Sequence, residues 1–214
     1  MTTNWSKRTH AEWTRAIVNG DYDTVGVLKF DNGRHIERDQ AKALYKAYWH
    51  KVDRTIFGRA ADKGYGVKRW CFSELGSDGN NLHLHFVATS PFNVLPFCAV
   101  LNGIWSNFHT RTADYGHNWI TPIRHRSNSA AYTAKSTKKL GDDNIGLAVN
   151  FQPDTELPYG TFDAAAQARR IENRLTDQQL EQASQALKIH IIETEKRLLV
   201  RHQKNSTLRS QQLA

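Results

Sequence analysis

The stretch WCFSELGSDGNNLHLHF, residues 70–86, holds the residue types best suited to chemistry in this chain. His83 and His85 stand two apart, with Leu82, Leu84 and Phe86 on the positions around them. In a β-strand, side chains at i and i+2 point to the same face, so the imidazoles share one face and the apolar residues the other. A hairpin turning about Asp78-Gly79 sets Glu74 opposite His83, or diagonally beside His85, on that same face. Two imidazoles and one carboxylate on rigid β structure leave coordination positions open for water or substrate. A hard divalent ion such as Mg²⁺ or Mn²⁺ suits such a set, and imidazole also accepts Zn²⁺ or Ni²⁺. A bare His-x-His decorates many solvated sheets. Here the apolar alternation and the glutamate placed by a short hairpin favour a metal site.

A second group lies in AAYTAKSTKK, residues 130–139. Tyr132 and Lys135 are three apart and therefore neighbours on a helix, with Lys139 a turn further and Arg124, Arg126 and Lys138 nearby. A phenol with a reference pKa of ~10 is a poor nucleophile unless a cation or metal stabilises the phenolate. A phosphodiester carries a charge that must be neutralised before an anion can attack it. A metal on the phosphate and a lysine beside the tyrosine meet both needs.

The elements that must position these groups alternate along residues 1–160. Residues 9–19 read as a short helix, and TVGVLKF (24–30) as a strand ending at the turn Asp31-Asn32-Gly33. Asp39 is placed to cap a helix over about 40–58, with Ala43, Ala47, Tyr48 and Val52 at helical spacing. Strands over 67–75 and 82–89 flank the turn-rich GSDGNN. A helix over 94–109 turns Leu95, Cys98, Ala99 and Trp105 inward, a strand follows over 118–123, and 127–139 is a third helix. A hairpin between helices that each lead back to a strand favours an antiparallel sheet with helices packed on it, an α+β fold of the ferredoxin-like kind.

Residues 161–214 differ in habit. All 13 glycines and all 5 prolines lie before them, and the region reads as almost continuous helix. Thr176 and Gln179 have capping-box spacing, and Leu180, Leu187, Ile191 and Leu198 form a seam on the helix that follows. An earlier helix over about 162–174 carries Ala165, Ala168, Ile171 and Leu175. The division is a first domain, 1–160, with every chemical motif, and a helical extension, 161–214, that packs on it or self-associates. Arg169, Arg170 and Arg174 suit either a duplex-reading face or a solvated one. A truncate ending near residue 160 is expected to keep the chemistry.

The chain has 214 residues, 39% hydrophobic and 23% charged, with a net charge of +8. That is a folded composition able to bury a core, and the basic excess, +5 before residue 161 and +3 after it, favours an anionic partner. The longest apolar runs, such as FCAVL (97–101), are too short to span a bilayer, and the N-terminus lacks a secretory apolar stretch. Cys71 and Cys98, both expected in the core, exclude a disulfide scaffold and suit a reducing cytoplasm. The remaining histidines lack partner spacing and read as surface or packing residues. Most of the six tryptophans are expected in the core.

The glutamate on the preceding strand, HLH at 83–85 and YTAK at 132–135 resemble, in order and spacing, the second and third motifs of HUH-superfamily rolling-circle replication initiators, the Rep endonucleases. TVGVLKF lies where that family's first motif lies and matches it only as a hydrophobic strand. The resemblance spans roughly residues 20–140. It implies an antiparallel sheet with the HLH strand central, Glu74, His83 and His85 binding Mn²⁺ or Mg²⁺, Tyr132 attacking DNA, and Lys135 assisting. Ala131 and Ser136 leave Tyr132 without a second tyrosine, so the chain resembles the single-tyrosine type. No GxxxxGK[ST] occurs, so a separate helicase is implied beside the polymerase. The expected activity is a metal-dependent, sequence-specific nick in single-stranded DNA at an origin, leaving a 5′-phosphotyrosine link and a 3′-OH. A tyrosine transposase or relaxase of the same superfamily, or a non-catalytic single-strand-binding module, are the alternatives.

Overall fold

In the computed structural model the described residues are 2–30, 36–76, 81–107, 119–140, 145–146, 149–152 and 163–212. The chain opens with α1 (Thr2–Asn19) and β1 (Thr24–Lys29), followed by α2 (Arg38–Phe57) and a 3-10 turn, Gly58–Lys63. The hairpin strands β2 (Arg69–Glu74) and β3 (His83–Ala88) come next, then α3 (Val94–Ser106) and β4 (Trp119–Pro122). Two short helices, α4 (Arg126–Thr133) and α5 (Thr137–Leu140), precede the C-terminal pair α6 (Ala164–Glu172) and α7 (Asp177–Gln212). The fold is α+β. The described strands form one antiparallel sheet in the order β2-β3-β1-β4, with β3 between β2 and β1. No helix among the described residues is long and apolar enough to cross a membrane.

Both faces of the sheet are covered. Leu28, Leu84, Phe86 and Ile120 point into the main core with Tyr48, Trp49 and Ile56 of α2 and Phe97, Leu101 and Trp105 of α3. Gly26 is required there, because a Cβ on it would come within 2.3 Å of the Phe86 ring. On the other face Phe72 and Val87 pack with Ile17 of α1, Ala130 of α4 and Ala134. Each fully buried large apolar side chain contributes about 1.5–3 kcal/mol, so the two clusters together hold the sheet from both sides.

Several local expectations change. Glu37, not Asp39, occupies the N-cap of α2, and Asp39 lies in the first turn, where its charge complements the helix dipole. Ala43 and Ala47 are exposed; Ala41, Tyr45, Tyr48, Trp49, Val52 and Ile56 are the inward stripe, because the larger aromatics win the core. Leu95 is half exposed, whereas Cys98, Ala99 and Trp105 are buried as expected. Helix α1 begins seven residues earlier than the short helix read over 9–19. Of the tryptophans, Trp49 and Trp105 are fully buried and Trp5 is exposed. The turns at Asp31-Asn32-Gly33 and Asp78-Gly79 lie outside the described residues.

The C-terminal helices dock on this body. Leu175 and Leu187 belong to the main core, and Thr176 and Gln179 form the reciprocal capping box at the start of α7, with bonds of 2.9 and 3.2 Å. Arg170 donates to the carbonyls of Thr55 and Ile56 at 3.1 and 2.8 Å, and Arg174 to the Thr55 hydroxyl at 3.3 Å. Arg170 thus satisfies carbonyls at the carboxyl end of α2, and Arg174 is tied to the side chain beside them, so both make contacts within the fold. Arg169 is exposed.

Candidate metal and nucleophile site

The hairpin register follows the alternation. Glu74 lies opposite His83, Phe72 opposite His85, and Ser73 opposite Leu84. Leu84 and Phe86 enter the main core, which forces His83 and His85 to the other face. On that face every residue of β3 is buried and His85 has no exposed surface, while Glu74 on β2 is partly exposed.

The side chains converge on one carboxylate oxygen. Glu74 Oε2 is 2.8 Å from His85 Nε2, 3.6 Å from His83 Nε2 and 3.1 Å from Lys135 Nζ. His83 Nδ1 lies 2.7 Å from the Asn81 carbonyl. With its proton assigned to Nδ1 by that contact, His83 keeps the Nε2 lone pair on the side of Glu74. Burial pushes the Glu74 carboxyl up, but His83, His85 and Lys135 outweigh it and hold the group well below the usual carboxylate range. Burial, against the pull of Glu74, brings His85 down to about 4. Near neutral pH the cluster thus offers an ionised carboxylate and, at His85, a neutral imidazole, the forms that bind a metal.

The donor set fits a divalent ion. The candidate ligand atoms of Glu74, His83 and His85 lie within 4.8 Å of one another, a few tenths of an ångström from the limit of about 4.4 Å for two atoms each about 2.2 Å from a common ion. His85 Nε2 is buried without an aligned hydrogen bond, while Glu74 Oε2 has Lys135 Nζ at 3.1 Å as its charged partner.

Tyr132 and Lys135 are brought to this cluster by a break rather than by a continuous helix. The helix read over 127–139 stops at Thr133, turns through Ala134–Ser136 and resumes as α5. At the break the Ala134 carbonyl accepts from the Thr137 N–H at 3.0 Å, from Thr137 Oγ1 at 2.6 Å and from His10 Nδ1 of α1 at 3.0 Å. From that turn Lys135 lies over the Tyr132 ring, Nζ 4.0 Å from its centroid, while reaching Glu74. The Tyr132 ring meets His85 edge to face at 5.0 Å and is 52% exposed, so a ligand can reach the phenol from solvent.

All five residues singled out by sequence therefore share one locus. Two further residues border it. His10 supports the turn under Lys135, and nothing in a sequence separation of 124 residues announces the contact. Lys29 pairs across the ladder with His83, a position that aligning TVGVLKF against HLHFVA would have given. Comparisons of the chain with family models, curated proteins and solved structures found no match.

Proposed function

We propose that the protein is a metal-dependent endonuclease that cuts single-stranded DNA by transesterification on Tyr132. The observation that carries this reading is the convergence of Glu74, His83 and His85 with an exposed tyrosine and a lysine on one sheet face. The β-α-β-β-α-β order of the sheet, with strand order β2-β3-β1-β4, supports assigning it to the ferredoxin-like arrangement of the HUH Rep endonucleases.

Glu74, His83 and His85 would hold a Mn²⁺ or Mg²⁺ ion, which when bound would supply positive charge to the scissile phosphate. Tyr132 Oη attacks the phosphorus and its proton passes to solvent. The P–O3′ bond breaks, the 3′ oxygen leaves with the bonding pair and takes up a proton, and the 5′ phosphate stays ester-linked to Tyr132. Lys135, against the phenol ring, favours the phenolate and the charge that builds on the phosphate. His83 is fixed by the strand and by the Asn81 carbonyl and His85 by its burial in the strand, so little reorganisation is needed during the reaction. One phosphate ester replaces another, and the 3′-OH can reverse the step. In a replication setting that hydroxyl primes a separate polymerase, with a separate helicase unwinding the duplex.

The test is incubation with a pool of single-stranded oligonucleotides and Mn²⁺, resolved on a denaturing gel. A protein–DNA adduct that requires Mn²⁺ is expected. Binding without any adduct or cut would replace this reading by a non-catalytic single-strand-binding module.

A further inference from the structure

We propose that the cavity between α4, β4 and α7 holds one unpaired base of the DNA strand that Tyr132 attacks. This inference rests on Tyr132 being the group that meets DNA. The cavity has a volume of about 240 Å³, below the ~300–1,000 Å³ of sites for drug-sized ligands and suited to a single flat heterocycle. Asn128 and Ser129 line it from α4, Pro122 from β4, and His190, Thr194 and Leu198 from α7.

Its place relative to the nucleophile is set by the helix. Asn128 and Ser129 precede Tyr132 by four and three residues, so all three share one face of α4. One turn, about 5.4 Å, separates the cavity wall from the tyrosine. A strand whose phosphate lies at Tyr132 would thus present a neighbouring nucleotide here.

The lining suits a base better than an anion or an acyl chain. Pro122 and Leu198 give apolar walls, while the Asn128 amide and Ser129 hydroxyl can meet the polar edge of a base. His190 stacks on Trp119, centroids 3.3 Å apart and planes within 14°, which fixes the imidazole as a rigid side of the cavity. His190 Nε2 lies 3.5 Å from the Thr194 hydroxyl, a second cavity residue, which adds to the hold on the ring. Burial, aided by Arg197 and Arg124, lowers the His190 pKa to about 4, so the ring is neutral and matched to an uncharged base edge. The Arg124 guanidinium at the rim is tied to Glu195 at 3.2 Å and lies 3.4 Å from the Ile191 carbonyl, where it joins α7 to this end of the sheet. By this account α7 is part of the substrate-binding surface.

The test is titration of the full chain, in EDTA, with each of the four deoxynucleoside 5′-monophosphates and with inorganic phosphate. The readout is the NMR signals of the Trp119 indole and the Asn128 amide. At least one nucleotide should shift both signals, with a dissociation constant on the order of 1 mM, about −4 kcal/mol. Phosphate alone should shift neither. Asn128→Ala should weaken that nucleotide at least fivefold, and Thr194→Phe, which fills the space, should abolish its binding. Shifts reproduced by phosphate alone, or nucleotide affinity unchanged in both variants, would overturn the proposal. Because this assay needs neither metal nor cleavage, failure of the nuclease reading would appear separately, as a missing adduct in the Mn²⁺ reaction.

Discussion

The β2–β3 hairpin and the C-terminal helices reach their places by opposite routes. In the hairpin, a two-residue period and a short connection decide which side chains meet, and Glu74, His83 and His85 converge as a consequence. In α6 and α7, helical spacing names apolar residues but cannot say which body they cover. That is settled by Leu175 seated against Gly103 of α3, where a Cβ would come within 2.9 Å of Leu175 Cδ1, and by Arg170 on the end of α2. The Glu74, His83 and His85 cluster is locally encoded, and what brings Tyr132, Lys135 and the C-terminal helices to the sheet is long-range packing.

The sharpest way to break this contrast is to remove the ligands and ask whether the fold notices. His83→Ala with His85→Ala should lower Mn²⁺ affinity by at least about 100-fold, by analogy with the ~10–100-fold losses seen when only outer-shell groups are removed. Cleavage should vanish while the circular dichroism stays native. Calorimetric titration with unchanged Mn²⁺ affinity would separate these histidines from metal binding.

The complementary perturbation strikes the tail. Leu175→Ala should destabilise the protein by about 2–5 kcal/mol, the usual cost of emptying a buried leucine site, and denaturant unfolding measures it. A truncate ending near residue 160 would expose the same surface, so it should unfold at lower temperature and lose cleavage through instability, against the expectation drawn from motif position alone. A stable, active truncate would show that the helices only decorate the body.

A smaller effect comes from pH. His190 sits at about 4 in the folded protein against an ordinary value of 6.5. The unfolded chain therefore takes up this proton first as pH falls below about 6.5, so the stabilisation is intact above that and is lost towards pH 4. His190→Gln should lack this component, and the gap in melting temperature between wild type and variant should shift in the variant's favour over that window. A gap that is flat with pH would remove His190 from the account. Smallest of all, Thr176→Ala should cost about 1 kcal/mol through loss of the α7 cap, readable in the same unfolding experiment.

What was legible in the sequence follows the same division. The strand hairpin, its register, the inward Leu84 and Phe86 and the capping box at Thr176 all rest on contacts within a few residues or one turn. The segment carrying Tyr132 reads as one continuous helix, because its break at Ala134–Ser136 involves neither proline nor glycine. Its Ala134 carbonyl accepts from Thr137 of the next turn and also from His10, from the far end of the chain. Ala43 and Ala47 were placed inward because alanine fits a core stripe, yet Tyr45 and Trp49 bury far more surface and set the rotation of α2. Arg170 and Arg174 read as surface charge because their partners, the last carbonyls of α2 and the Thr55 hydroxyl, are more than a hundred residues away.

The central claim, that Tyr132 makes the bond to DNA while Glu74, His83 and His85 hold the metal, is tested most directly by mass spectrometry of peptides from the trapped adduct. A nucleotide ester on Tyr132, formed only with Mn²⁺ or Mg²⁺ and absent from Tyr132→Phe, is the predicted result. A nucleotide on any other residue, or cutting by Tyr132→Phe that leaves a free 5′ phosphate, would contradict it.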